Sequence, residues 1–288
     1  MKNLFLSLTI IFLIVFSGCS RKPSANEMKV ATFNIRYDNP EDSTNSWRSR
    51  SSQVCNFIRA EQPDIIGMQE VLWSQYQLLD SVLSDYSSVG VGRNDGSRDG
   101  EMNPVFFRKS KFDMVRNLTF WLSDFPDVPG SIGWGSPLPR IVTWMEFVEK
   151  KNHKHFFFFN THFAHDSESA RLMSSRVLLR EVGRISEDFP FIVSGDFNMP
   201  PTSTGYSILT GPDESVPLLK DSYVITEKRP VGPVSTFNGF SEKTKGERID
   251  FIFVRNGMKV LEYETLVKKD KGVYISDHWP VVAVVSLD

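Results

Sequence analysis

The sequence has 288 residues, of which 40% are hydrophobic and 24% charged, a composition typical of globular proteins with room for one large domain or two small ones. The formal net charge of −2 lacks the basic excess with which proteins bind nucleic acid along an extended surface. Only two cysteines occur, Cys19 and Cys55, so a disulfide framework is excluded if Cys19 carries another group.

The N-terminal segment predicts an export signal. Lys2 precedes a mostly apolar run over residues 4–16, which is too short to span a bilayer as a mature helix. The small pair Ser17-Gly18 directly before Cys19 resembles a bacterial lipobox, in which the cysteine is lipidated and becomes the new N-terminus. We therefore expect a signal peptide over residues 1–18 and a lipid anchor in the bacterial cell envelope. The alternative is an ordinary cleaved signal, which would leave the protein periplasmic or secreted.

A short polar tether is expected over residues 20–27, followed by one domain over residues 28–288. Strands are predicted where polar and apolar residues alternate or where short apolar runs meet turn residues, and helices where apolar residues recur at near-helical spacing. The predicted strands are 28–34, 64–70, 105–108, 112–122, 141–148, 155–162, 189–193, 247–254, 259–267 and 281–286. The predicted helices are 46–60, 73–83, 168–185 and 202–209.

Two connections in the middle of the chain have distinct predictions. Residues 109–111 are expected to join strand 105–108 to strand 112–122 as a hairpin. Residues 123–139 contain four prolines and three glycines, so no regular element is expected there. Because a loop of that length in a compact domain is usually functional, we expect it to contribute to substrate discrimination.

Five of the predicted strands carry a polar residue at one end. Asp196 and Asn198 are two residues apart, and in a pleated segment such residues point to the same face. A carboxylate can orient or deprotonate a water, and a neutral amide can hold a phosphate oxygen without charge repulsion. Taken alone, this Gly-Asp-x-Asn sequence is also typical of an Asx turn that ends a strand. The residues at the five strand ends are Asn34, Glu70, His162, Asp196 with Asn198, and Asp277 with His278.

Three motifs give the chain a family resemblance. The segments 194–198 (SGDFN), 248–251 (RIDF) and 276–280 (SDHWP), in that order, resemble the endonuclease/exonuclease/phosphatase superfamily, also called DNase I-like. The resemblance extends from about residue 29 to residue 286. It implies an α/β fold of four layers, an α/β/β/α sandwich in which two mixed sheets pack face to face with helices outside. It also implies a metal-dependent phosphoesterase whose active site lies at one end of the sheets.

The resemblance also implies which residues bind metal. Glu70 matches the main metal ligand, with Asn34 and Asp277 near the metal directly or through water. A hard cation with few carboxylates and several retained waters fits Mg²⁺, and Mn²⁺ is a possible substitute. Without the resemblance, Glu70 would be read as an exposed charge at the start of a helix.

Roles in the reaction follow from the same resemblance. Asp196 matches the residue that orients or deprotonates the attacking water, and Asn198 matches the one that holds a phosphate oxygen. His278 matches a histidine on the phosphate. Asp250 is its expected orienting partner, because a carboxylate on one ring nitrogen fixes the tautomer and stabilises the charged ring. An acid inside the apolar run that contains Asp250 requires such a partner.

The resemblance implies a second acid and imidazole pair, His162 with Glu101, on the other side of the phosphate. Arg140 matches a position that contacts phosphate, and its planar guanidinium suits two oxygens at once. Alternatives remain open for both side chains. His162 could be a hydrogen-bonded strand-end histidine, and Arg140 a solvated loop arginine.

The leading hypothesis is a hydrolase that cleaves a phosphate ester or phosphodiester by in-line attack of activated water. Its partners would be a phosphate-ester substrate and, through the N-terminal lipid, a membrane; no stable protein partner is implied. A nuclease is the alternative within this class, and it would need a local basic surface. The residues available for that surface are Arg93, Arg98, Arg108, Lys109 and Lys111. A non-catalytic binding lipoprotein should have lost at least one of four residues, all of which are present: Glu70, Asp196, Asp250 and His278.

Overall fold

The computed structural model describes residues 27–211, 218–241, 246–270 and 272–287. The predicted signal peptide, Cys19 and all but the last residue of the tether lie outside the described residues. No helix in these ranges is both long and apolar enough to cross a membrane.

The strands are β1 Glu27–Asn34, β2 Ile65–Gln69, β3 Tyr86–Val89, β4 Val105–Arg108, β5 Phe112–Trp121, β6 Ile141–Glu149, β7 His155–His162, β8 Phe191–Asp196, β9 Lys220–Asp221, β10 Asp250–Arg255, β11 Met258–Thr265, β12 Lys269–Asp270, β13 Val273–Tyr274 and β14 Val281–Leu287. The helices are α1 Trp47–Glu61, α2 Trp73–Val82, α3 Glu168–Ser186, α4 Thr204–Thr210 and α5 Ser222–Ile225, with a 3₁₀ helix over Pro40–Asn45.

Most strands belong to two mixed sheets of six strands each. The first sheet has the order β11-β14-β1-β2-β4-β3, and the second has the order β5-β6-β7-β8-β10-β9. Strands β1 and β2 run parallel, as do β7 and β8, whereas the other pairs within the two sheets are antiparallel. One apolar cluster fills the space between the sheets. Helices α1 and α2 pack on the outer face of the first sheet, and α3 and α4 on that of the second. The predicted four-layer α/β sandwich is confirmed.

Strand β7 shows how its sequence produces these layers. Its four consecutive phenylalanines are buried on both faces, as expected of a strand in the interior of a sheet. Phe156 and Phe158 enter the core between the sheets, whereas Phe157 and Phe159 pack toward α3. The polar residues 160–162 follow at the end of the strand, next to the site.

The predicted hairpin between strands 105–108 and 112–122 is wrong. Strand β4 pairs with β2 and β3 in the first sheet, whereas β5 pairs with β6 in the second. The connection 109–111 therefore carries the chain from one sheet to the other. Phe107 of β4 contacts Phe147 of β6 across the core, with ring centroids 4.8 Å apart, and Phe112 of β5 packs against Phe147 from within the second sheet at 5.5 Å. Packing between the sheets thus outweighs the local tendency of a short turn to form a hairpin.

A polar contact joins the two sheets below the site. Asn160 of β7 accepts a hydrogen bond from Gln69 Nε2 (2.7 Å) and donates to the carbonyl of Met68 (2.8 Å). Gly67 makes this approach possible, since a Cβ atom there would lie 2.5 Å from the Asn160 amide oxygen. The ends of β2 and β7 are therefore held at a fixed separation.

Candidate active site

Three site residues lie side by side at one edge of the second sheet. In the strand register, Asp196 of β8 is paired with His162 of β7 on one side and with Asp250 of β10 on the other. Neighbouring strands are about 4.8 Å apart, so these side chains are held within reach of one another. Strands β7 and β8 end at these residues, and β10 begins at Asp250. Pairing between strands that are distant in sequence brings the three residues together.

Asp196 is the centre of the site and is 1% exposed. Its Oδ2 atom accepts a hydrogen bond from Asn34 Nδ2 (3.0 Å), which reaches across from the first sheet. The same atom lies 3.5 Å from His162 Nε2 and 3.7 Å from His278 Nε2. Burial, followed by the nearby Asp250 carboxylate, raises the pKa of Asp196 to about 7.

Asn198 does not share the pleated strand with Asp196, so the prediction that the two residues alternate within one strand is wrong. Strand β8 ends at Asp196, and Asn198 has φ = +49°, in the left-handed region that only a few non-glycine residues adopt. Its backbone N–H donates to Asp196 Oδ1 (2.9 Å), the Asx-turn contact. Its side-chain amide donates to His162 Nε2 (3.0 Å) and to the Phe163 carbonyl (3.1 Å).

His278 and Asp250 form the predicted contact. The ring Nδ1–H donates to Asp250 Oδ2 at 2.9 Å, and both side chains are buried. Burial opposes a charged ring, but the carboxylates of Asp250 and Asp196 outweigh it and hold the pKa of His278 well above its usual range. The ring is therefore charged at neutral pH, with Nε2–H directed to the centre of the site.

His162 lies in the site but does not form the expected hydrogen bond with Glu101. The nearest atoms, His162 Nδ1 and Glu101 Oε2, are 3.8 Å apart, whereas Glu101 Oε2 accepts from Arg93 Nη1 at 2.9 Å. Burial and two arginines, Arg140 and Arg93, hold the pKa of His162 well below its usual range. Because Nε2 accepts from the Asn198 amide, the neutral ring carries its proton on Nδ1. The two histidines thus differ in charge.

The edge of the first sheet supplies the acidic part of the site. Glu70 follows β2 with φ = +60°, and its Oε1 accepts from Asn34 Nδ2 at 3.0 Å. Its Oε2 accepts from the Tyr37 backbone N–H at 3.2 Å. Arg36 lies between Glu70 and Asp277, with nitrogen–oxygen distances of 4.0 and 3.8 Å. Asn34, Glu70 and Asp277, the predicted metal-binding residues, therefore lie together.

Two groups of side chains offer ligand atoms for a metal ion. Asp196, Asp250 and His278 have ligand atoms within 4.8 Å of one another and could hold one. However, a charged His278 ring has no free nitrogen to coordinate a metal, and its Nδ1 is already bonded to Asp250. Glu70 and Asp277 offer carboxylate oxygens, which are the ligands that suit a hard divalent ion, and the Arg36 guanidinium lies no closer than 3.8 Å to either of them. The second group therefore fits a metal better.

Arg50 supports the acidic part from below, a role that the sequence did not indicate. This arginine of α1 is fully buried and donates to five backbone carbonyls. The acceptors are those of Ile35, Arg36, Tyr37, Asn45 and Ile275. Burial lowers the pKa of Arg50 to about 10, which leaves it charged. It thus joins the segment after Asn34 to the segment before Asp277.

Two buried arginines form the cationic part of the site. Arg140 directly precedes β6, and Arg93 lies in the loop after β3; they are 5% and 7% exposed. Burial and the charge of Arg93 lower the pKa of Arg140. Arg140 was predicted to contact phosphate, and the structure excludes a solvated loop arginine. From the sequence, Arg93 was expected only in a possible basic surface, and no local sequence pattern indicates its buried pairing with Glu101.

The basic surface that a nuclease would need is not assembled from the predicted residues. Arg108, Lys109 and Lys111 lie at the far end of β4, since Arg108 N donates to the carbonyl of Asp64 at the opposite end of the first sheet from Glu70. A cavity of about 650 Å³ opens at that end. Its lysines are paired with acids, including Lys111 with Asp64 at 2.7 Å.

Comparisons with known proteins agree with the fold and the motifs. The sequence model of the Endonuclease/Exonuclease/phosphatase family matches residues 31–278. A solved endonuclease/exonuclease/phosphatase from Bacteroides vulgatus is 40% identical, with a TM-score of 0.86 over 91% of this chain and 99% of that one. A solved mannosyl-6-phosphatase from Bacteroides thetaiotaomicron is 33% identical, with a TM-score of 0.84 over 90% of this chain and 100% of that one. An uncharacterized protein of Acanthamoeba polyphaga mimivirus is 31% identical over 281 residues, which are 89% of this chain and 99% of that protein.

Proposed function

The chain belongs to the endonuclease/exonuclease/phosphatase family, and from that premise we propose that it hydrolyses a small phosphate ester with Mg²⁺, for which Mn²⁺ can substitute. The family and its phosphatase relative support a hydrolase that acts on phosphoesters in general. One observation carries the proposal: Asp196 Oδ2 lies within 3.7 Å of Asn34 Nδ2 and of the Nε2 atoms of both histidines. A buried carboxylate therefore lies next to one charged and one neutral imidazole.

The metal would be held by Glu70 and Asp277, with Asn34 between Glu70 and Asp196. When bound, the ion would neutralise charge on the phosphate and orient it for attack. Two oxygen ligands leave room for several waters, which Mg²⁺ usually retains in proteins. Arg36, next to both carboxylates, would limit how much negative charge gathers there.

Asp196 is the group proposed to take the proton of the attacking water. With its pKa raised to about 7, a substantial fraction is ionised near neutral pH and is basic enough to accept a proton. The water oxygen would form the new bond to phosphorus while the bond from phosphorus to the ester oxygen breaks. The electron pair of that bond leaves with the ester oxygen as an alkoxide, on the side of the phosphorus opposite the attacking water, and the alkoxide takes a proton from solvent to give the alcohol.

The two histidines are proposed to act differently. His278, held charged by Asp250, would donate from Nε2 to a phosphate oxygen and offset the charge that develops there. His162 is neutral and bonded to Asn198, so it would contribute hydrogen bonding in place of a full charge. In this arrangement Asn198 would act on the phosphate only after releasing His162 or Phe163, and would otherwise position His162.

Two observations favour a small ester over a nucleic acid strand. The basic residues at the far end of β4 are not close to Asp196, so a strand held there would not reach the site. The 33% identical relative from Bacteroides thetaiotaomicron is a mannosyl-6-phosphatase, which makes sugar phosphates the first compounds to test. A nuclease remains the alternative outcome of the experiment.

The test is a substrate panel assayed with Mg²⁺ and with a chelator. It contains mannose 6-phosphate, glucose 6-phosphate, a phosphodiester, phospholipid vesicles and single-stranded DNA. Asp196→Asn should lose activity by about 10²–10⁴-fold. Asp113→Asn, which makes the same change of charge on a side chain that is 67% exposed, is the matched control and should match wild type. Preferred cleavage of DNA would identify a nuclease, and no metal-dependent cleavage of any compound would overturn the proposal.

A further inference from the structure

The cationic part of the site contains more hydrogen-bond donors than its neighbours can use. Within the part of the chain that the structure describes, the Nε of Arg93 and the Nε and Nη1 of Arg140 have no hydrogen-bond partner, although both side chains are more than nine-tenths buried. The Nδ1 of His162, in the same region, is also without one. Buried donors rarely stay unpaired, because desolvation without a hydrogen bond is unfavourable. Four such atoms on three neighbouring side chains therefore indicate an anion with several acceptor oxygens.

We propose that Arg93 and Arg140 form a binding site for the terminal oxygens of a phosphomonoester, so that the enzyme selects monoesters over diesters. This inference rests on the proposed function, hydrolysis of a phosphate ester at Asp196. It assigns a substrate class and gives Arg93 a role in specificity.

Charge is the first argument for a monoester. A phosphomonoester carries close to two negative charges at neutral pH and has three terminal oxygens. A diester carries one charge and has two. Two buried guanidiniums interact strongly with the additional charge, and each planar fork can contact two oxygens at once. Arg93 Nη1 donates to Glu101 (2.9 Å) and Arg140 Nη2 contacts His165 Nδ1 (3.2 Å). Because Glu101 is the only acid in these two contacts, a net positive charge remains on the pair.

The fixed position of Arg93 also favours a monoester. Arg93 lies on a compact loop in which its backbone N–H donates to the Glu101 carbonyl at 3.0 Å, and its own carbonyl accepts from Trp121 Nε1 at 2.7 Å. The loop starts at Gly92, where a Cβ atom would lie 2.2 Å from the Asp99 carbonyl. The Arg93 guanidinium is therefore held in place, and a second ester group in place of a terminal oxygen would leave buried donors without an acceptor.

Glu101 has a role in addition to its predicted pairing with His162. Its carboxylate bonds Arg93 at 2.9 Å and remains 3.8 Å from His162. It therefore acts as a positioning residue that orients the Arg93 guanidinium, and it leaves Arg93 Nε, Arg140 Nε and Arg140 Nη1 available to the ligand.

The test compares two substrates with the same leaving group, p-nitrophenyl phosphate and methyl p-nitrophenyl phosphate, which differ by one methyl ester. Wild type should have the higher kcat/KM with the monoester. Arg93→Met should lower kcat/KM for the monoester by about 10–10²-fold and affect the diester by less than about threefold. Arg93→Lys, which keeps the charge without the fork, should lose part of the preference. The matched control is Arg98→Met, in the same loop but exposed against the Trp73 ring, and it should match wild type.

Calorimetric titration with inorganic phosphate and with dimethyl phosphate, in Mg²⁺, measures binding without turnover. Phosphate should bind wild type and Arg98→Met alike, and Arg93→Met at least about tenfold more weakly. Thermal unfolding verifies that each variant is folded, and Arg93→Lys replaces Arg93→Met if the latter is not. If wild type prefers the diester, or if Arg93→Met lowers both substrates equally, the inference is overturned while the hydrolase proposal stands. If neither substrate is cleaved but phosphate binding depends on Arg93, the hydrolase proposal fails and the phosphate site stands.

Discussion

Replacing Asp250 with asparagine removes the carboxylate that holds His278 charged while keeping the size of the side chain. The His278 Nδ1 to Asp250 Oδ2 distance is 2.9 Å, and both groups are buried, so the contact is a charge-assisted hydrogen bond with little solvent screening. We expect the pKa of His278 to fall and turnover to drop by about 10²–10⁴-fold.

The magnitude follows from the hydrogen bond. A hydrogen bond to a charged group contributes about 1.5–3 kcal/mol, and one pKa unit corresponds to about 1.4 kcal/mol. Asp250→Asn should therefore lower the pKa of His278 toward its ordinary range. Because the folded-state pKa of His278 is raised above its ordinary value of 6.5, the stabilisation is fully present below pH 6.5. It is lost as the pH rises through the folded-state pKa.

The assay is an NMR titration of the His278 ring together with urea unfolding at several pH values. Relative to wild type, the variant should lose about 1.5–3 kcal/mol of stability below pH 6.5. The difference should shrink as the pH rises. Asp85→Asn, at a carboxylate that is 78% exposed, is the matched control and should leave the ring unchanged. An unaltered His278 pKa in Asp250→Asn would refute the account of this pair.

Further predictions concern the buried charges and the N-terminus. The folded-state pKa of Asp196 is raised from 3.8 to about 7, so the folded state loses stability as the pH rises between these values. In chelator at pH 8, Asp196→Asn should therefore be more stable than wild type. Equal stability of the two proteins in urea unfolding would contradict this. Arg50→Met leaves five carbonyls without their shared donor, so the free energy of unfolding in urea should fall by about 3 kcal/mol. Activation by Mg²⁺ should weaken as well. An unchanged Mg²⁺ requirement would show that Arg50 does not position the acidic residues. Cys19→Ser should release the exported protein from membranes in cell fractionation, and a wild type that is already soluble would rule out the lipid anchor.

The strand ends could be predicted because they depend on local apolar patterns. The four-layer fold could be predicted because three short motifs resemble a known family. Strand β7 is one example, since its phenylalanine run and terminal His162 were both predicted. Sheet membership could not be predicted at residues 109–111, because a turn of that length suits both a hairpin and a crossing between sheets. The choice depends on packing that local sequence does not contain.

The site was also predicted in part: the residues in short motifs could be identified, and the contacts made by long-range folding could not. Asp250 was correctly paired with His278, because a buried acid needs a partner and a motif supplied one. Glu101 was assigned to His162, whereas its hydrogen bond goes to Arg93. Arg93 is eight residues away on a folded-back loop, and only the structure shows that the loop turns this side chain inward.

The most direct test of the central proposal is an Mg²⁺ titration of phosphate-ester hydrolysis in wild type and in Glu70→Gln. The exposed Glu227→Gln, with the same change of charge, is the matched control. Wild type should be inactive in chelator, and Mg²⁺ or Mn²⁺ should restore its activity. Glu70→Gln should need much more Mg²⁺ than either wild type or the control, because a neutral amide is a weaker ligand than a carboxylate. Full hydrolysis in chelator, or an unchanged Mg²⁺ requirement in Glu70→Gln, would contradict the proposal.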